Sequence, residues 1–489
     1  MMAYSSINDW KLVNSFQNLP ECFYSRVPPQ PLSDPRVLHV NVSYAQQLGL
    51  APQALGDDEF LRVFSGSDGL QGTTPVCAVY SGHQFGVWAG QLGDGRAHLL
   101  GEVETPSGRW ELQLKGAGLT PYSRMGDGRA VLRSSVREYL ASEAMAGLGI
   151  PTTRALALVV SNDPVYRETV ETAAIVTRAA PSFVRFGSFE HWHGKSEPMR
   201  ALADYVIDHF YPQCRDGAAD GNQAVLNLLE QVVQRSARLV ADWQTVGFCH
   251  GVLNTDNMSI LGLTLDYGPY GFMDAFQADH VCNHSDTQGR YAWNAQPAVV
   301  HWNLYRLASA LATLGLPADA LKQRLETFES HFLQAYRDSM ARKLGLSAWR
   351  SGDDDLFDGW WGLLHHQKAD FTRSFRALAS VPGHTTPLLD EFSEHESVHG
   401  WLDDYLQRVS SDPLTPAQRA AQMSTANPVY VLRNYLAEQA IKAAAQGDVS
   451  EIETLLMLLR DPYTPRQGYE AYAMAPPDWG KKLHVSCSS

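Results

Sequence analysis

The sequence predicts an α+β fold in two lobes, a small strand-rich lobe followed by a larger helical lobe. Between residues 76 and 115, short runs of strand-forming residues alternate with glycine-rich turns, a pattern typical of antiparallel sheet. From residue 222 onward, apolar residues instead recur at helical spacing. The chain has 489 residues, 44% of them hydrophobic, which is long and apolar enough to bury a core in each lobe.

Composition argues against several classes of protein. A formal net charge of -14 disfavours a nucleic-acid-binding protein, since that affinity depends on many Lys and Arg contacts with phosphates. The sequence has no signal-peptide core and no run of about twenty apolar residues, so we expect a cytoplasmic protein with no membrane partner. The six cysteines are scattered, without zinc-ligand spacing. Composition is compatible with a monomer and leaves the oligomeric state open.

The strand-rich lobe is predicted from a hairpin. Residues 97–103 and 110–115 each have the composition of a strand, and a Pro-Ser-Gly break separates them. A glycine-rich segment precedes the first strand, and the second ends at Lys115. The N-terminal lobe of protein kinases has the same order of elements: a glycine-rich loop, a strand, a turn and a strand that ends in Lys.

A helix is predicted over residues 130–148, where it is closed by Gly149 and a following proline. On this helix Glu138 shares a face with Val131. That position turns Glu138 toward the strand that ends at Lys115, where a Lys-Glu pair would position the phosphates of a nucleotide. The alternative is an ordinary surface carboxylate.

The helical lobe begins with a predicted helix over residues 222–243, which leads into a loop of protein-kinase type. Kinases carry His-Arg-Asp-x-x-x-x-Asn in their catalytic loop, followed by Asp-Phe-Gly. Here His250 and Asn257 keep that spacing and Asp266 begins an Asp-Tyr-Gly, but Val252 occupies the position of the catalytic Asp. The predicted fold is therefore protein-kinase-like. The chain either binds ATP without chemistry or performs chemistry that needs another base.

The same loop offers groups for such chemistry. Asn257 and Asp266 supply an amide oxygen and a carboxylate, which suit Mg²⁺ or Mn²⁺ bridging the phosphates of a nucleotide. Asp256 stands beside the predicted metal ligand, and we predict that it is the general base. The alternative is a carboxylate that only caps the loop.

Further nucleotide contacts are predicted from glycines and arginines. Glycines let backbone N–H groups approach phosphates, and arginines add charge-assisted contacts. Ordinary turns and surface ion pairs are the alternative explanation. The candidates stand in three segments, and they are Gly93, Gly95 and Arg96, then Asp127 and Gly128, then Arg178 and Arg185.

Beyond Asp266 the chain is predicted to be mainly helical, over residues 299–314, 317–344, 371–378, 399–409, 428–445 and 450–459. The whole pattern divides the chain into four parts. They are an N-terminal extension (1–75), a kinase-like N-lobe (76–200), a kinase-like C-lobe with the catalytic and metal loops (201–345), and a C-terminal helical extension with a cysteine-bearing tail (346–489).

Taken together, these motifs resemble the selenoprotein O (SelO) family of kinase-like proteins, and the likeness extends over essentially the whole chain. A set of this kind is far more specific than any single motif. The motifs that carry it lie at residues 81–86, 91–96, 114–118, 133–138, 250–257, 265–269 and 282–286.

The resemblance implies a protein adenylyltransferase. Such an enzyme moves AMP from ATP to Ser, Thr or Tyr hydroxyls of protein substrates and releases pyrophosphate. The family binds ATP in a flipped orientation relative to kinases, which explains how Val252 can replace the kinase Asp. Transfer of UMP from UTP, favoured by manganese, is a related activity that the resemblance also implies.

Matching positions in the family imply the role of each residue. Asp256 would be the general base, and Asn257 and Asp266 would be the metal ligands. Lys115 would bind phosphate and pair with Glu138. The other candidates named above would line the nucleotide site, together with Asp266.

The resemblance also implies redox control. Cys487 occupies the position where eukaryotic members carry selenocysteine, and Cys282 resembles the family partner that can form a disulfide with the C-terminal cysteine. Such a bond would lock the C-terminal tail onto the kinase-like core and make activity redox-sensitive.

A second class of function stays open on the sequence alone, a catalytically inactive pseudokinase that binds nucleotide as a scaffold. The presence of Lys115, Glu138, Asn257 and Asp266 favours the enzyme, because a scaffold need not keep the whole set of phosphate and metal ligands. An ordinary kinase is disfavoured by Val252.

Overall fold

The fold is built on one large antiparallel sheet with helices packed against it. The computed structural model describes residues 4–106, 108–381 and 383–486. The strands are β1 (Leu12–Val13), β2 (Tyr24–Arg26), β3 (Arg36–Val40), β4 (Val76–Gln84), β5 (Val87–Gly93), β6 (Ala97–Thr105), β7 (Gly108–Lys115), β8 (Ala130–Val131), β9 (Arg154–Tyr166), β10 (Val170–Ala180), β11 (Phe248–Cys249) and β12 (Gly271–Phe272). The α-helices are α1 (Val42–Gln47), α2 (Asp58–Phe64), α3 (Leu132–Gly147), α4 (Phe186–Glu190), α5 (Ser196–Phe210), α6 (Gly221–Thr245), α7 (Gln296–Leu311), α8 (Ala318–Leu325), α9 (Phe328–Lys343), α10 (Asp353–Gln367), α11 (Phe371–Leu378), α12 (Thr386–Leu389), α13 (His395–Ser410), α14 (Pro416–Ala426), α15 (Asn434–Ala445) and α16 (Ser450–Arg460).

Ten strands form the large sheet, in which the main order is β2-β4-β6-β7-β10-β9-β3. Beside this path, β1 pairs with β6, β5 with β4 and β8 with β10. All of these strand pairs are antiparallel, and β11 and β12 form a separate two-stranded ribbon. A large antiparallel sheet combined with many helices agrees with the predicted mixture of α and β structure.

The hairpin predicted to end at Lys115 is present. Strands β6 and β7 pair from Ala97 opposite Lys115 to Thr105 opposite Gly108. On its other side β7 pairs with β10, so that Lys115 lies opposite Val176. The end of β7 is thus held in the interior of the sheet, where neighbouring strands fix its position.

The sheet is covered on both faces. Val136 and Tyr139 of α3 share a core cluster with Val176, whereas Phe60 of α2 shares a second cluster with Ile175. Because consecutive residues of a strand face opposite sides, α2 and α3 lie on opposite faces. The segment predicted as an N-terminal extension therefore covers one face, and it also adds β1, β2 and β3 to the sheet.

Helix α6 carries the apolar stripe predicted for residues 222–243. Its first turn is capped by Asp220, whose side chain accepts a hydrogen bond from the backbone N–H of Gln223 at 2.8 Å. The helix buries Trp243 near its end and continues through β11 to His250. The site loop therefore follows directly from a helix anchored in the core.

Two predicted helices differ from the observed ones. The segment 317–344 is divided into α8 and α9, and the Thr327 hydroxyl at the break donates to the carbonyl of Arg324 at 2.7 Å, a local bond that competes with helix continuation. Helix α15 begins only at Asn434, because Arg433 is extended and its buried side chain binds Asp274 and Asp370.

Helices α5, α10 and α14 are absent from the sequence prediction. In α10 two glycines, Gly359 and Gly362, weaken the local helical signal, and the helix is held instead by core packing of Phe357 and Trp360. No helix among residues 4–106, 108–381 and 383–486 combines the length and apolar character needed to cross a bilayer. The cytoplasmic location and the four domain boundaries stay predictions.

The last two helices pack closely on α3. Ala440 and Ile441 of α15 share the α3 core cluster. Gly147, the last residue of α3, lies against the backbone of α16, and a Cβ atom built on it would overlap the carbonyl oxygen of Leu459. Two helices can approach this closely only where one of them lacks a side chain.

We expect Gly147→Ala to lower the free energy of unfolding by about 2 kcal/mol, because the added methyl group must push two helix backbones apart. Thermal and urea unfolding would measure the loss. Gly400→Ala is the matched control, since Gly400 is exposed within α13 and a Cβ there meets nothing within 4 Å. That control should gain up to about 1 kcal/mol; equal behaviour of the two variants would contradict the close approach.

Candidate active site

A cavity of about 860 Å³ is lined both by the sheet and by the loop that follows His250. It gathers segments that are far apart in the chain. All of the residues predicted as catalytic, nucleotide-binding or metal-binding line it, namely Gly93, Gly95, Arg96, Lys115, Asp127, Gly128, Arg178, Arg185, Asp256, Asn257 and Asp266.

Asp266 is surrounded by three cationic side chains. Its Oδ1 atom is bound by Nη1 of Arg178 and lies 3.3 Å from Nζ of Lys115, while Oδ2 lies 3.0 Å from Nη1 of Arg185. Burial alone would raise the pKa of this carboxyl, but Arg178, Lys115 and Arg185 hold the pKa well below its usual range. Asp266 is therefore ionised at any physiological pH.

Glu138 is the second carboxylate of this cluster. Its Oε2 atom lies 2.5 Å from Nζ of Lys115, and its Oε1 atom lies 3.1 Å from Nη1 of Arg178. Helix α3 supplies Glu138, the end of β7 supplies Lys115 and the adjacent β10 supplies Arg178. Burial lowers the pKa of Lys115, against the opposing effect of Glu138 and Asp266. The structure thus brings together the Lys-Glu pair, whose role in nucleotide binding stays a prediction.

Asp256 lies in a 3₁₀ turn, Thr255–Asn257, and is largely buried. Its Oδ2 atom accepts a hydrogen bond from Gln84 at 3.1 Å, and its Oδ1 atom has no hydrogen-bond partner in the described part of the chain. Burial raises the pKa of this carboxyl to about 6, although Gln84 and Arg185 act in the opposite direction. Asp256 therefore differs sharply from the strongly acidic Asp266.

Arg185 connects the two aspartates. Its Nη1 atom donates to the backbone carbonyl of Asp256 at 2.8 Å as well as to the side chain of Asp266. Asn257, beside Asp256, donates from Nδ2 to the carbonyl of Val252 at 3.0 Å, and its Oδ1 atom makes no hydrogen bond to any described residue. The loop thus presents one amide oxygen and two carboxylates to the same cavity.

These oxygens suit a divalent cation, because Mg²⁺ is usually held by one or two carboxylates together with substrate phosphates. The amide oxygen of Asn257 is uncommitted and fits that requirement. Both oxygens of Asp266 already contact Lys115, Arg178 or Arg185, so a bound cation would share this carboxylate with those side chains. Among the described residues, no group of three or more His, Cys, Asp and Glu side chains is placed to hold a metal ion.

The glycine-rich segments form a compact wall of the cavity. Gly93 has a φ of 151°, and a Cβ on it would collide with the ring of Tyr122. The Ser123 hydroxyl donates to the carbonyl of Gly95 at 2.5 Å, and the Thr120 hydroxyl donates to that of Asp94 at 2.8 Å. Only glycine permits such close backbone packing at Gly93. The packing fixes the loop that runs from Thr120 to Gly128, the third predicted glycine.

The predicted polar residues of this wall differ in how they are bound. Arg96 is exposed and forms no ion pair within the described residues. Asp127, by contrast, is held at the cavity rim by Arg167, with distances of 2.7 and 2.9 Å between its carboxylate oxygens and the two Nη atoms. We therefore expect Arg96 to be available to a phosphate, whereas Asp127, itself an anion, orients Arg167 at the rim.

Sequence reasoning missed several cavity residues. Arg167 lies in the turn between β9 and β10 and nothing in its local sequence marks it. Gln84, the hydrogen-bond partner of Asp256, belongs to a motif quoted for the family, but its contact joins residues far apart in the chain. Arg129 directly follows the predicted Gly128, and its guanidinium donates to the carbonyls of Gln30 and Pro31.

Cys282 lies beside the site loop rather than in the cavity. Its Sγ atom is 3.1 Å from the carbonyl oxygen of Pro269 and 3.3 Å from that of Cys249, and burial raises its pKa well above the usual range. The next residue, Asn283, forms a parallel bridge with Val485. Cys487, the second predicted redox residue, lies outside the described residues.

The chain is similar to known proteins over its full length. The family model described as Protein adenylyltransferase SelO matches residues 7–460. The chain is 62% identical over 491 residues to Protein nucleotidyltransferase YdiU of Bordetella avium (strain 197N), and 60% identical over 497 residues to that of Bordetella petrii, with 100% of both chains covered in each case. It is 50% identical to Protein nucleotidyltransferase YdiU of Dechloromonas aromatica (strain RCB), over 97% of each chain.

The cavity contains several cations and a carboxylate of raised pKa. Together with the similarities above, these features define an enzyme of the nucleotidyltransferase class. Membership of this class favours the hypothesis of an active enzyme over that of an inactive scaffold. More particularly, the chain belongs to the SelO family of protein adenylyltransferases, which confirms the resemblance that the motifs predicted.

We expect Asp266→Asn to lower the free energy of unfolding by about 3 kcal/mol, because it removes a carboxylate that contacts three buried cations. Among the described residues, Glu138 would then be the only carboxylate in contact with Lys115 and Arg178, and Arg185 would have none. Urea unfolding without nucleotide would measure the loss. Asp404→Asn, at an exposed position of α13, is the control and should change nothing. If both variants unfold at the same urea concentration as the parent protein, the charge cluster does not support the fold.

Proposed function

We propose that this enzyme transfers AMP from ATP to Ser, Thr or Tyr hydroxyls of protein substrates, on a protein-kinase-like arrangement of two lobes. The observation that carries the proposal is the convergence of Lys115, Arg178 and Arg185 on Asp266 in the cavity that also contains Asp256. Cationic groups of this kind suit a triphosphate. The family is described as protein adenylyltransferase and its relatives as protein nucleotidyltransferase, and both names support a protein as the acceptor.

In the proposed reaction the hydroxyl oxygen of the acceptor attacks the α-phosphorus of ATP. A bond forms between these two atoms, the bond from the α-phosphorus to the oxygen that bridges to the β-phosphate breaks, and pyrophosphate leaves with that electron pair. Asp256 takes the hydroxyl proton. A carboxyl whose pKa lies at about 6 is mostly ionised at neutral pH and more basic than an ordinary Asp, as a general base requires.

Stabilisation of charge on the phosphates would be the main task of the remaining residues. Lys115 and Arg178 are held in place by Glu138 before any nucleotide arrives, so little reorganisation would be needed when charge develops. Asn257 and Asp266 would hold Mg²⁺ or Mn²⁺, which when bound supplies further positive charge to the phosphates. Transfer of UMP from UTP would use the same groups and stays a prediction.

The proposed transfer is tested with labelled ATP. We expect label from α-labelled ATP, and not from γ-labelled ATP, to become attached to protein, because the α-phosphoryl group moves and the γ-phosphate leaves in pyrophosphate. Asp256→Asn should slow the transfer by about a hundredfold or more, since the general base is removed. Gel autoradiography with both labels and both proteins would measure these rates.

Asp404→Asn serves as the control here as well, because its carboxylate is exposed and remote from the cavity. It should transfer label at the parental rate. Transfer of the γ-label would instead identify a kinase, and nucleotide binding without transfer of either label would identify a scaffold.

We also propose that Cys282 forms a disulfide with Cys487. Two contacts support this pairing: a parallel bridge joins Asn283 to Val485, and the His284 N–H donates to the Val485 carbonyl at 2.8 Å. They bring the chain two residues before Cys487 beside Cys282. In the reaction with oxidised glutathione, both thiols lose their protons, one S–S bond forms and two molecules of reduced glutathione are released. The bond would tie the tail to the site loop, because Cys282 contacts Pro269.

Peptide mapping without reductant, after mild treatment with oxidised glutathione, should find Cys282 linked to Cys487. Cys282→Ser should remove the linked peptide, whereas Cys22→Ser, at an exposed cysteine remote from the tail contact, should leave it. Recovery of Cys282 and Cys487 as unlinked thiols from the oxidised parent protein would exclude the bond.

A further inference from the structure

The tip of the β4–β5 hairpin carries an exposed apolar surface at the mouth of the cavity. Phe85, Val87 and Trp88 are 39%, 70% and 50% exposed, and Phe85 also lines the cavity that contains Asp256. We refer to these three residues as the hairpin tip. Val87 and Trp88 are consecutive residues of β5 and so project from opposite faces of the strand, which exposes apolar side chains on both sides of the turn. Exposed apolar groups gathered at one place on a surface can mark an interaction site.

The hairpin tip is fixed to the loop that contains Asp256. The backbone N–H of Phe85 donates to Oδ1 of Asn254 at 3.2 Å and to the hydroxyl of Tyr291 at 2.9 Å. The N–H of His83 donates to the Thr255 hydroxyl at 2.7 Å. These bonds set the distance between the hairpin tip and the proposed base, so that a molecule bound to one is placed relative to the other.

The conformation of Phe85 itself is strained. Its φ is 50°, a left-handed value that costs a bulky residue about 1 to 2 kcal/mol. Phe85 and Gly86, with φ of 50° and 81°, are the two central residues of the turn that joins Gln84 to Val87, and a two-residue hairpin turn of this kind needs positive φ at both positions. The two bonds to the Phe85 N–H hold the aromatic ring at the cavity mouth. The ring packs on that of Tyr291, at a centroid distance of 5.1 Å, and the side chain stays partly exposed.

Two cationic side chains lie on Trp302, whose ring contacts that of His83 in the same hairpin at a centroid distance of 5.4 Å. Arg290 and Arg306 lie on the ring of Trp302, with Cζ at 4.8 and 5.1 Å from its centroid, and the Arg290 guanidinium lies directly against Gly86. The Nε atoms of both arginines are buried without a hydrogen-bond partner in the described residues, and neither arginine forms an ion pair there. In a chain of net charge -14, two arginines without an ion-pair partner among the described residues are complementary in charge to an acidic group.

Strand β5 also offers an edge for backbone pairing. In the described part of the chain it pairs only with β4, so the N–H and C=O groups of its other edge have no strand partner. An extended peptide can pair with such an edge and place alternate side chains on the surface beside it.

We propose that the hairpin tip and Arg306 dock an extended, acidic and apolar segment of the protein substrate, and so bring its hydroxyl-bearing residue to Asp256. The apolar side chains of the segment contact Phe85, Val87 and Trp88, and an acidic side chain lies beside Arg290 and Arg306. This inference rests on the proposed transfer to proteins. It adds the surface that selects the acceptor, which is separate from the residues that bind the nucleotide.

The test uses two synthetic peptides, each with one Tyr acceptor. One carries Leu and Glu on both sides of the Tyr, and the other carries Ser and Lys at those positions. We expect the full-length enzyme, under reducing conditions, to label the Leu-Glu peptide from α-labelled ATP with at least about a tenfold higher kcat/KM. Trp88→Ala should raise KM for that peptide about tenfold while leaving kcat and the Kd for ATP within about twofold.

Two further variants keep the outcome specific. Trp479→Ala removes an equally exposed tryptophan that does not line the cavity, and it should leave KM unchanged. Arg306→Glu should reduce or invert the preference between Glu and Lys in the peptide, an effect that general unfolding would not produce.

The docking proposal is overturned if the two peptides are labelled equally, if neither is labelled while other proteins are, or if Trp88→Ala and Trp479→Ala behave alike. Its failure is distinguishable from failure of the proposed transfer. If only the docking proposal fails, α-label still reaches protein without dependence on the hairpin tip. If the proposed transfer fails, no α-label is transferred to any protein. Concentration-dependent dimerisation that Trp88→Ala abolishes would instead assign the hairpin tip to a second copy of the chain.

Discussion

The charge cluster around Asp266 is the interaction on which the site depends. Three cations, Lys115, Arg178 and Arg185, converge on one carboxylate. Buried cations without a counter-ion would be strongly destabilising, so Asp266 allows the fold to hold these groups together before any ligand is bound. Polyphosphate oxygens can take over part of that role, because they present the same charge to the same donors.

Helices that do not line the cavity are attached to the segment that follows Asp266. Arg137 on α3 donates to the carbonyl of Tyr270 at 2.7 Å and contacts Asn434, the first residue of α15. Arg433, just before α15, binds Asp274 and Asp370. The segment after Asp266 is therefore attached at several points to the C-terminal helices, so these helices support the site loop although they do not line the cavity.

Local patterns in the sequence predict much of this arrangement. The β6–β7 hairpin, α3 and α6 follow from alternation, helical period and terminating glycines, and the spacing around His250 identifies Asp256, Asn257 and Asp266 as candidates. Contacts between distant segments are different, because their cause is tertiary packing. The contact of Gln84 with Asp256 and the ion pair of Arg167 with Asp127 have no local signal, and neither does the addition of β1, β2 and β3 to the sheet.

The close contact between α3 and the last helices has a consequence for biosynthesis. Helix α3, which carries Glu138, is buried by α15 and α16, with Gly147 against the backbone of Leu459. These partners are translated long after α3, so a chain still growing on the ribosome exposes the apolar face of α3. The packing around α3, and with it the support of Glu138, is therefore completed only after residues 434–460 have emerged.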